Sequence, residues 1–462
     1  VNTGLFPLNN LECPLKKTLS GSALKYWISI VMPLCSDSNK RLAKLQVIQA
    51  AITSPIMAEM PMEKRHPLAD IAASFELLNT QGTPVSMVDI LHSNLFEWFE
   101  STQQRNFDLR DWIDSICQDT NKSHGWGREK KRQIILQFGV AIELMSSGKK
   151  VPSRNGSKVP ENITNKDILN LNEMHWYDLV QNDSLFKDCI LHFQKCILGR
   201  QFPEKDCPYP ISASIYIALY WKFKKESPNW TLERLNQIFK AFFWMNCLSE
   251  RYETDSLGVP RDMEAIEKLL INNVSKDDDE WKKNVDAWLV QMADGNLPTA
   301  LDIQEKLLGK ANGAMRQALQ LPIKYLPELD IINTKSDITY PKNDSIQMHH
   351  IFPRNWINNN ATLTNFGPEH NNKEYILEVR ECLVNKTPLI DTSNNSWKAK
   401  SPQTIIDKFT NKAQLKGKKI WVQRFITNST YDALSSDEPM NFLKCRAKEI
   451  QEWLLGECEI NL

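Results

Sequence analysis

The sequence has no excess charge of either sign, no paired cysteines and no long hydrophobic run. Its 462 residues include 56 lysines and arginines and 56 aspartates and glutamates, so the formal net charge is zero. Any surface that binds nucleic acid must therefore be local. The ten cysteines form no C-x-x-C pair. This argues against a zinc ribbon or a disulfide scaffold and indicates reduced thiols in a cytosol.

The longest apolar runs, near residues 27–34 and 211–221, are too short to span a bilayer, and no signal peptide is visible. Hydrophobic residues make up 42% of the chain and charged residues 24%, which are globular values. A chain of this length is expected to form about three domains. These features predict a cytoplasmic protein with no membrane partner.

Most of the chain has helical periodicity, with apolar stripes opposite charged faces. The segments with this pattern are residues 130–145, 211–225, 232–252, 262–273, 281–293 and 441–455. The acidic run 277–280 is expected to begin one of these helices, where negative charge is stabilising. Four aromatic residues at helical spacing are predicted to be core residues: Trp221, Phe242, Phe243 and Trp244.

One C-terminal stretch departs from this pattern. His349 and His350 lie on a short apolar strand that Pro353 must end, because proline cannot donate to a ladder. A second strand is predicted over residues 383–389. Ser393 and the two asparagines after it predict an N-cap for a helix that extends to about residue 409. The predicted order is strand, loop, strand, helix.

This order, with a histidine pair on the first strand and asparagines on the second strand and the helix, resembles the ββα-metal core of HNH nucleases. The strings HHIFP, NKTPL and NNSWKAKSP resemble more closely the nuclease domain of GmrSD-type, modification-dependent restriction enzymes. The resemblance implies a mainly α-helical protein with a small ββα-metal core near the C-terminus. The implied function is a metal-dependent DNA endonuclease or nickase that defends against foreign, modified DNA.

The resemblance assigns catalytic roles to three residues. Phosphodiester hydrolysis needs a base that deprotonates water, and a histidine with a pKa near neutrality suits that role. His350 matches this base in the family pattern. Asn385 matches the asparagine that holds the loop of the base in place. Lys398, one turn after the asparagines of the helix, is placed to contact a phosphate oxygen.

The same resemblance implies a divalent cation, which would neutralise charge on the phosphate. His349 stands at the position of a metal ligand, and Asn394 matches the ligand on the helix, with Asn395 an equally placed alternative. A neutral imidazole instead of a carboxylate weakens the case for tight magnesium binding. Magnesium or manganese is expected, with zinc as an alternative. His349 would otherwise pack on the far face of its strand.

A second resemblance lies nearer the N-terminus, in the string FELLNTQGTPVS. It is similar to the F-x-x-x-N-T-x-G-x-x-L-S segment of the ParB-like sensor domain of the same restriction family, with Val85 in place of leucine. The matching residues are Phe75, Asn79, Thr80 and Gly82. The string predicts a helix, a turn and a new helix capped near Ser86.

The D-G-Q-Q-R motif of that sensor domain, associated with nucleotide use, is absent from this chain. The resemblance thus implies that the chain lacks the front of the sensor domain or that the motif has been lost, and it leaves the use of a nucleoside triphosphate open. Three domains are predicted: the C-terminal part of the sensor over residues 1–100, a helical domain over 101–320, and the nuclease with closing helices over 321–462.

A local excess of positive charge follows the predicted metal helix. Between residues 398 and 424, eight basic residues occur against one acid, Asp407. The position favours a track for DNA phosphates, and a solvated lysine face is the alternative. The lysines assigned to DNA are Lys400, Lys416, Lys418 and Lys419.

Two other functions stay open at this point. A zinc hydrolase could use His349 and His350, although the chain has no H-E-x-x-H helix and no third strong ligand. A non-catalytic DNA-binding or regulatory protein could keep a degenerate HNH fold. The DNA modification recognised and the oligomeric state, a homo-oligomer included, are not determined by the sequence.

Overall fold

A computed structural model describes residues 86–119, 122–123, 126–127, 132–147, 162–254, 258–274, 276–293, 295–309, 311–340, 342, 346–409 and 419–459. The four residues of the sensor motif lie outside these ranges, as do Lys416 and Lys418. All described residues belong to one unit, Pro67–Leu462. The division into three domains stays a prediction.

The described part of the chain is mainly helical, as predicted. Its helices are α1 (Met87–Gln103), α2 (Leu109–Cys117), α3 (Gln133–Ser147), α4 (Asn165–Asn170), α5 (Glu173–Gln181), α6 (Asp183–Leu198), α7 (Ala213–Glu226), α8 (Leu232–Leu248), α9 (Arg251–Thr254), α10 (Val259–Asn272), α11 (Asp278–Met292), α12 (Ala300–Leu308), α13 (Gly313–Tyr325), α14 (Arg354–Asn360), α15 (Leu363–Phe366), α16 (Lys373–Glu381), α17 (Asp391–Trp397), α18 (Pro402–Phe409), α19 (Lys419–Val422), α20 (Asn428–Ser435) and α21 (Pro439–Glu457). Short 3₁₀ turns lie at Glu204–Asp206, Pro210–Ser212, Gly367–Asn371 and Leu383–Asn385.

The strands among these residues form two small antiparallel pairs. β1 (Gln118–Asp119) pairs with β2 (Lys122–Ser123), and β3 (Gln347–His350) pairs with β4 (Lys386–Leu389). The second pair lies late in the chain, and α13 packs against β4. This pair contains the histidines singled out in the sequence.

Two predicted helix starts are confirmed by their capping bonds. The backbone N–H of Asp89 donates to Oγ of Ser86 at 3.3 Å, and the N–H of Ser86 donates back to the carboxylate of Asp89 at 2.9 Å, which is a capping box. Asp277 accepts from the N–H of Glu280 at 2.8 Å. The acidic run therefore begins α11, because its carboxylates neutralise unpaired N–H groups at the helix start.

The prediction of one helix over residues 232–252 is wrong. α8 ends at Leu248, and α9 begins at Arg251. Glu250 between them has φ of +53°, a left-handed conformation that cannot continue a right-handed helix. The aromatic residues of this region are core residues as predicted: Trp221, Phe242, Phe243 and Trp244 are all buried.

α21 is the last helix of the described residues and packs against α8, α12 and α20. Its buried Arg446 contacts the backbone at the start of β4. The guanidinium donates to the carbonyl oxygens of Val384 at 2.5 Å, Lys386 at 2.8 Å and Arg424 at 2.9 Å. Arg424 is itself fully buried and donates from Nε to Oγ1 of Thr387 on β4 at 3.2 Å. Two buried arginines therefore hydrogen-bond to residues of β4.

Burial lowers the pKa of both Arg424 and Arg446 to about 9. Both guanidinium groups are still charged at neutral pH, and their hydrogen bonds to carbonyl groups partly replace lost hydration. No helix in the described part of the chain has both the length and the apolar character needed to cross a membrane.

Replacing Arg446 with methionine is expected to destabilise the fold. The change keeps apolar bulk but removes the donor of three carbonyl groups, two of them in buried hydrogen bonds and one in a partly buried one, at a cost of about 3 kcal/mol or more. The free energy of unfolding from urea denaturation measures it. Lys448→Met on the same helix is the control, since the Lys448 side chain is 67% exposed, and it should change stability by less than about 0.5 kcal/mol. Equal effects of the two changes would contradict a structural role for Arg446.

Candidate functional site

The two strands and the helix after them are present in the predicted order as β3, β4 and α17, but the segment between the strands contains α14, α15 and α16 and is not a loop. In the antiparallel pair, His349 lies opposite Thr387 and His350 lies opposite Lys386. β4 leads directly into α17, which packs against β3. Both histidines lie at the end of β3, as the proline-terminated strand predicts.

Two predicted boundaries need correction. The second strand begins at Lys386 and not at residue 383, because Leu383–Asn385 forms a 3₁₀ turn. The predicted helix over residues 393–409 is two helices, and Ser393 lies inside the first instead of capping it. The break occurs at Lys398, where φ is +48°. Ser401 then accepts from the N–H of Thr404 at 3.2 Å and caps the second helix, α18.

Asn385 ties the loop after β3 to the segment before β4. Its fully buried side chain accepts from the N–H of Phe352 at 2.8 Å. Its amide Nδ2 donates to the carbonyl oxygens of Phe352 at 3.1 Å and Arg380 at 3.0 Å. The backbone N–H of Ile351 donates to the carbonyl of Asn385 at 2.7 Å. The loop is therefore fixed immediately after the two histidines.

His349 and Asn394 are in contact although 45 positions separate them. Nδ1 of His349 donates to Oδ1 of Asn394 at 2.6 Å, and Nδ2 of Asn394 donates to the side chain of Gln347. The ring of Trp397 lies against the imidazole, with centroids 4.9 Å apart. His349 is only 8% exposed. Among the described residues, its Nε2 has no hydrogen-bond partner.

Burial lowers the pKa of His349 to about 4, against a smaller opposing effect of the hydrogen bond to Asn394. His350 contributes to this shift through its charge, so the two imidazoles interact electrostatically. His349 is therefore neutral at pH 7, which is the protonation state that a metal ligand requires.

His350 contacts a different part of the chain. Its Nε2 lies 3.2 Å from Oε2 of Glu381, at the end of α16. Glu381 also binds Arg354 at 2.9 Å and Arg380 at 3.0 Å. Burial raises the pKa of Glu381, but the hydrogen bonds from Arg354 and His350 outweigh it and lower that pKa to about 2. Since the carboxylate is ionised, Nε2 of His350 must carry the proton, and the ring lone pair is on Nδ1.

Burial also lowers the pKa of His350, while the contact with Glu381 opposes the shift. The imidazole is therefore neutral at pH 7 and can accept a proton. Sequence reasoning missed Glu381 and its two arginines. The contact joins residues 31 positions apart, and no spacing in the sequence indicates it.

The remaining predicted site residues differ in their surroundings. Asn395 is exposed, whereas the neighbouring Asn394 contacts His349, so the contact favours Asn394 of the two alternatives. Lys398 is exposed at the end of α17. Its positive φ is sterically costly for a residue with a side chain. Nζ of Lys400 donates to the carbonyl of Ser396 at 2.5 Å and thereby caps α17.

The predicted basic track is reduced by the structure. Arg424, one of its eight basic residues, is fully buried and cannot contact DNA. Lys419 is exposed but pairs with Glu328 at 3.0 Å. Because Lys416 and Lys418 lie outside the described residues, the track itself stays a prediction.

The metal ligands predicted from the resemblance are His349 and Asn394. Within the described residues, no three histidine, cysteine, aspartate or glutamate side chains are grouped to hold a metal ion. The ligand atoms of an octahedral magnesium ion, each about 2.1 Å from it, lie about 3 Å apart. Nδ1 of His349 and Oδ1 of Asn394 are 2.6 Å apart and share a hydrogen bond. A cation bound to both atoms would replace this hydrogen bond, with the imidazole proton then on Nε2. Two neutral protein ligands suit an ion that keeps several waters.

No protein-family model matches the chain, and no solved structure matches it. Among curated proteins, the chain is similar to the uncharacterized protein MJ0686 of Methanocaldococcus jannaschii, with 22% identity over 407 residues. The alignment covers 83% of this chain and 61% of the archaeal protein. The chain therefore spans less than two thirds of that relative's length, and the similarity carries no known function.

The low pKa of His349 predicts a loss of stability in mild acid. Below pH 6.5 the unfolded chain binds a proton at this position, and the folded chain does so only near pH 4. The neutral His349 therefore contributes to the free energy of unfolding above pH 6.5. This contribution is lost as the pH falls, and the free energy of unfolding is lower by about 2 kcal/mol at pH 5 than at pH 7. Urea denaturation at pH 7 and pH 5 with a chelator present measures this. In His349→Gln, most of this loss of unfolding free energy between pH 7 and pH 5 should disappear, whereas His370→Gln should lose as much as the parent protein. An equal loss in all three proteins would contradict burial of a neutral His349.

Proposed function

We propose that the protein is a metal-dependent DNA endonuclease or nickase of the HNH type. One observation carries the proposal: β3, β4 and α17 bring His349 into contact with Asn394, next to His350, while Asn385 fixes the loop that follows. These four residues are the ones to which the family pattern gives roles in hydrolysing a phosphodiester. A role in defence against modified DNA rests on the resemblance alone.

His350 is the proposed general base. Its neutral ring can take a proton from water at Nδ1, because the proton on Nε2 is held by the ionised Glu381. The imidazolium that forms is stabilised by the same carboxylate, as in histidine–carboxylate pairs of other hydrolytic sites. Its pKa lies below the usual value for histidine, so the base is available at neutral pH.

His349 and Asn394 are the proposed metal ligands. A divalent ion bound there would supply charge neutralisation at the scissile phosphate and the leaving oxygen. The role of the chain is to present a neutral imidazole and an amide oxygen and to keep both in place. Trp397 packs against the imidazole, and Gln347 holds the amide of Asn394. Manganese is favoured over magnesium by this neutral donor set.

A zinc hydrolase that uses both histidines is less well supported. His349 bonds to α17, and His350 bonds to the end of α16. Because neighbouring strand residues point to opposite faces, the pair does not form a common chelate. A non-catalytic DNA-binding protein is the second candidate, and the same cleavage assay separates it from a nuclease.

Replacing His350 with alanine is expected to reduce cleavage by roughly 10²- to 10⁴-fold, because the variant lacks the base that activates water. Nicking of supercoiled plasmid, modified and unmodified, with magnesium, manganese or zinc measures the rate. His370→Ala is the matched control, since this imidazole hydrogen-bonds to the backbone carbonyl of Gly367 and not to a residue of the candidate site. Full activity of purified His350→Ala would refute the assignment, and an inactive parent would favour the non-catalytic alternative.

The two asparagines give a matched test of the metal site. Asn394→Ala is expected to raise the manganese concentration needed for half-maximal cleavage by about tenfold or more, while Asn395→Ala should leave it unchanged. His349→Asp should retain or increase the rate with magnesium, since a carboxylate is a harder ligand. The measurement is the cleavage rate of each variant as a function of manganese and magnesium concentration. Identical metal dependence in all variants would exclude His349 and Asn394 as ligands.

A further inference from the structure

The carboxylate of Glu381 has several cationic neighbours. Arg354 contacts it twice, from Nη2 at 3.0 Å and from Nε at 2.9 Å. Nε of Arg380 donates to it at 3.0 Å, and Nζ of Lys386 lies 4.0 Å away. His350 is its remaining partner, at 3.2 Å. The proposed base and three cations therefore share one carboxylate.

This cluster carries more positive charge than Glu381 balances. Three cations accompany one carboxylate, which leaves a net charge of +2 when His350 is neutral. Burial and the nearby guanidinium of Arg316 both lower the pKa of Lys386, so a further cation on α13 adds to the field. An ion-pair network that only stabilised the fold would gain most from balanced charges. Uncompensated positive charge at a surface instead attracts polyanions.

Arg354 keeps a donor for another ligand. Arg354 uses Nε and Nη2 on Glu381, and among the described residues its Nη1 has no hydrogen-bond partner. Its side chain is 57% exposed. A guanidinium presents its N–H groups in a planar fork that fits a phosphate. Since Glu381 already fixes this side chain, less conformational entropy is lost when a ligand binds.

We propose that Arg354, Arg380 and Lys386 bind a phosphate of the DNA backbone beside His350. Glu381 is the positioning residue of this site: it holds the two guanidinium groups and orients the imidazole without contacting DNA itself. The choice of duplex DNA as the ligand rests on the proposed function. This cluster would perform part of the role predicted for the basic track, to which Arg424 cannot contribute because it is fully buried.

The first test measures binding alone, in the His350→Ala background so that DNA is not cut. Fluorescence anisotropy with a labelled duplex of about 30 base pairs, at a series of salt concentrations, gives the affinity and its salt slope. Arg354→Gln and Arg380→Gln should each weaken binding and lower the slope by about 0.9 for each phosphate that is no longer neutralised. Lys268→Gln is the matched control, because Lys268 is an exposed cation paired with Glu264 at 2.7 Å, and it should change neither quantity.

The second test separates positioning from support of the fold. Glu381→Gln removes one negative charge at constant size, so DNA should bind more tightly while the cleavage rate at saturating DNA falls. A merely structural role would weaken binding and catalysis together.

The outcomes distinguish this site from the nuclease activity. Salt slopes that stay unchanged in Arg354→Gln and Arg380→Gln, or a parent protein that binds no DNA, would overturn the phosphate site. Lower slopes in a protein that cleaves no DNA with any metal would support the site and refute the nuclease. Arg354→Lys guards against misfolding, since it keeps the charge and should retain the slope with weaker binding.

Discussion

The geometry of the candidate site depends on the hydrogen bonds of the Asn385 side-chain amide. This amide is fully buried and bonds to both backbone groups of Phe352 and to the carbonyl of Arg380. These bonds tie the end of β3 to the end of α16 and to the start of β4. An unsatisfied amide in this position would cost several kcal/mol, so the geometry of the three segments is fixed together. The buried Arg446 supports the same segments by donating to the carbonyls of Val384 and Lys386, and the buried Arg424 donates to Oγ1 of Thr387.

This framework gives two adjacent histidines different chemistry. Both lie on one short strand and both lose hydration, which lowers the pKa of each. His349 is paired with a neutral amide, whose hydrogen bond opposes the lowering of the pKa less than burial promotes it. His350 is paired with an ionised carboxylate, which supports a proton once the ring has taken one. A strand alternates the faces of its residues, and here the alternation gives the proposed metal ligand and the proposed base different partners.

Local signals in the sequence predicted part of this arrangement. The cap at Ser86, the acidic start of α11 and the proline-terminated strand with its histidines each depend on neighbouring residues, and each is present. The family pattern also named Asn394, which does contact His349. The cap predicted at Ser393 is wrong, because serine is common at N-caps but also occurs inside helices. Ser401 is the stronger signal for a helix start, since Pro402 follows it and proline favours the first helical position. Contacts such as that of Glu381 with His350 depend on folding together distant segments, and no periodicity encodes them.

The distribution of charge follows from the same constraint. A chain with zero net charge can attract a polyanion only where it separates its charges, and some of its arginines are consumed inside the fold. Arg424 and Arg446 bond to carbonyl groups and contribute nothing to the surface. Arg354 and Arg380 instead remain near the surface, held by a single carboxylate. Whether a basic residue is available to bind an anion therefore depends on its burial and its partners, and not on its position in the sequence. At Glu381, one carboxylate both limits the positive field and fixes the side chains that produce it.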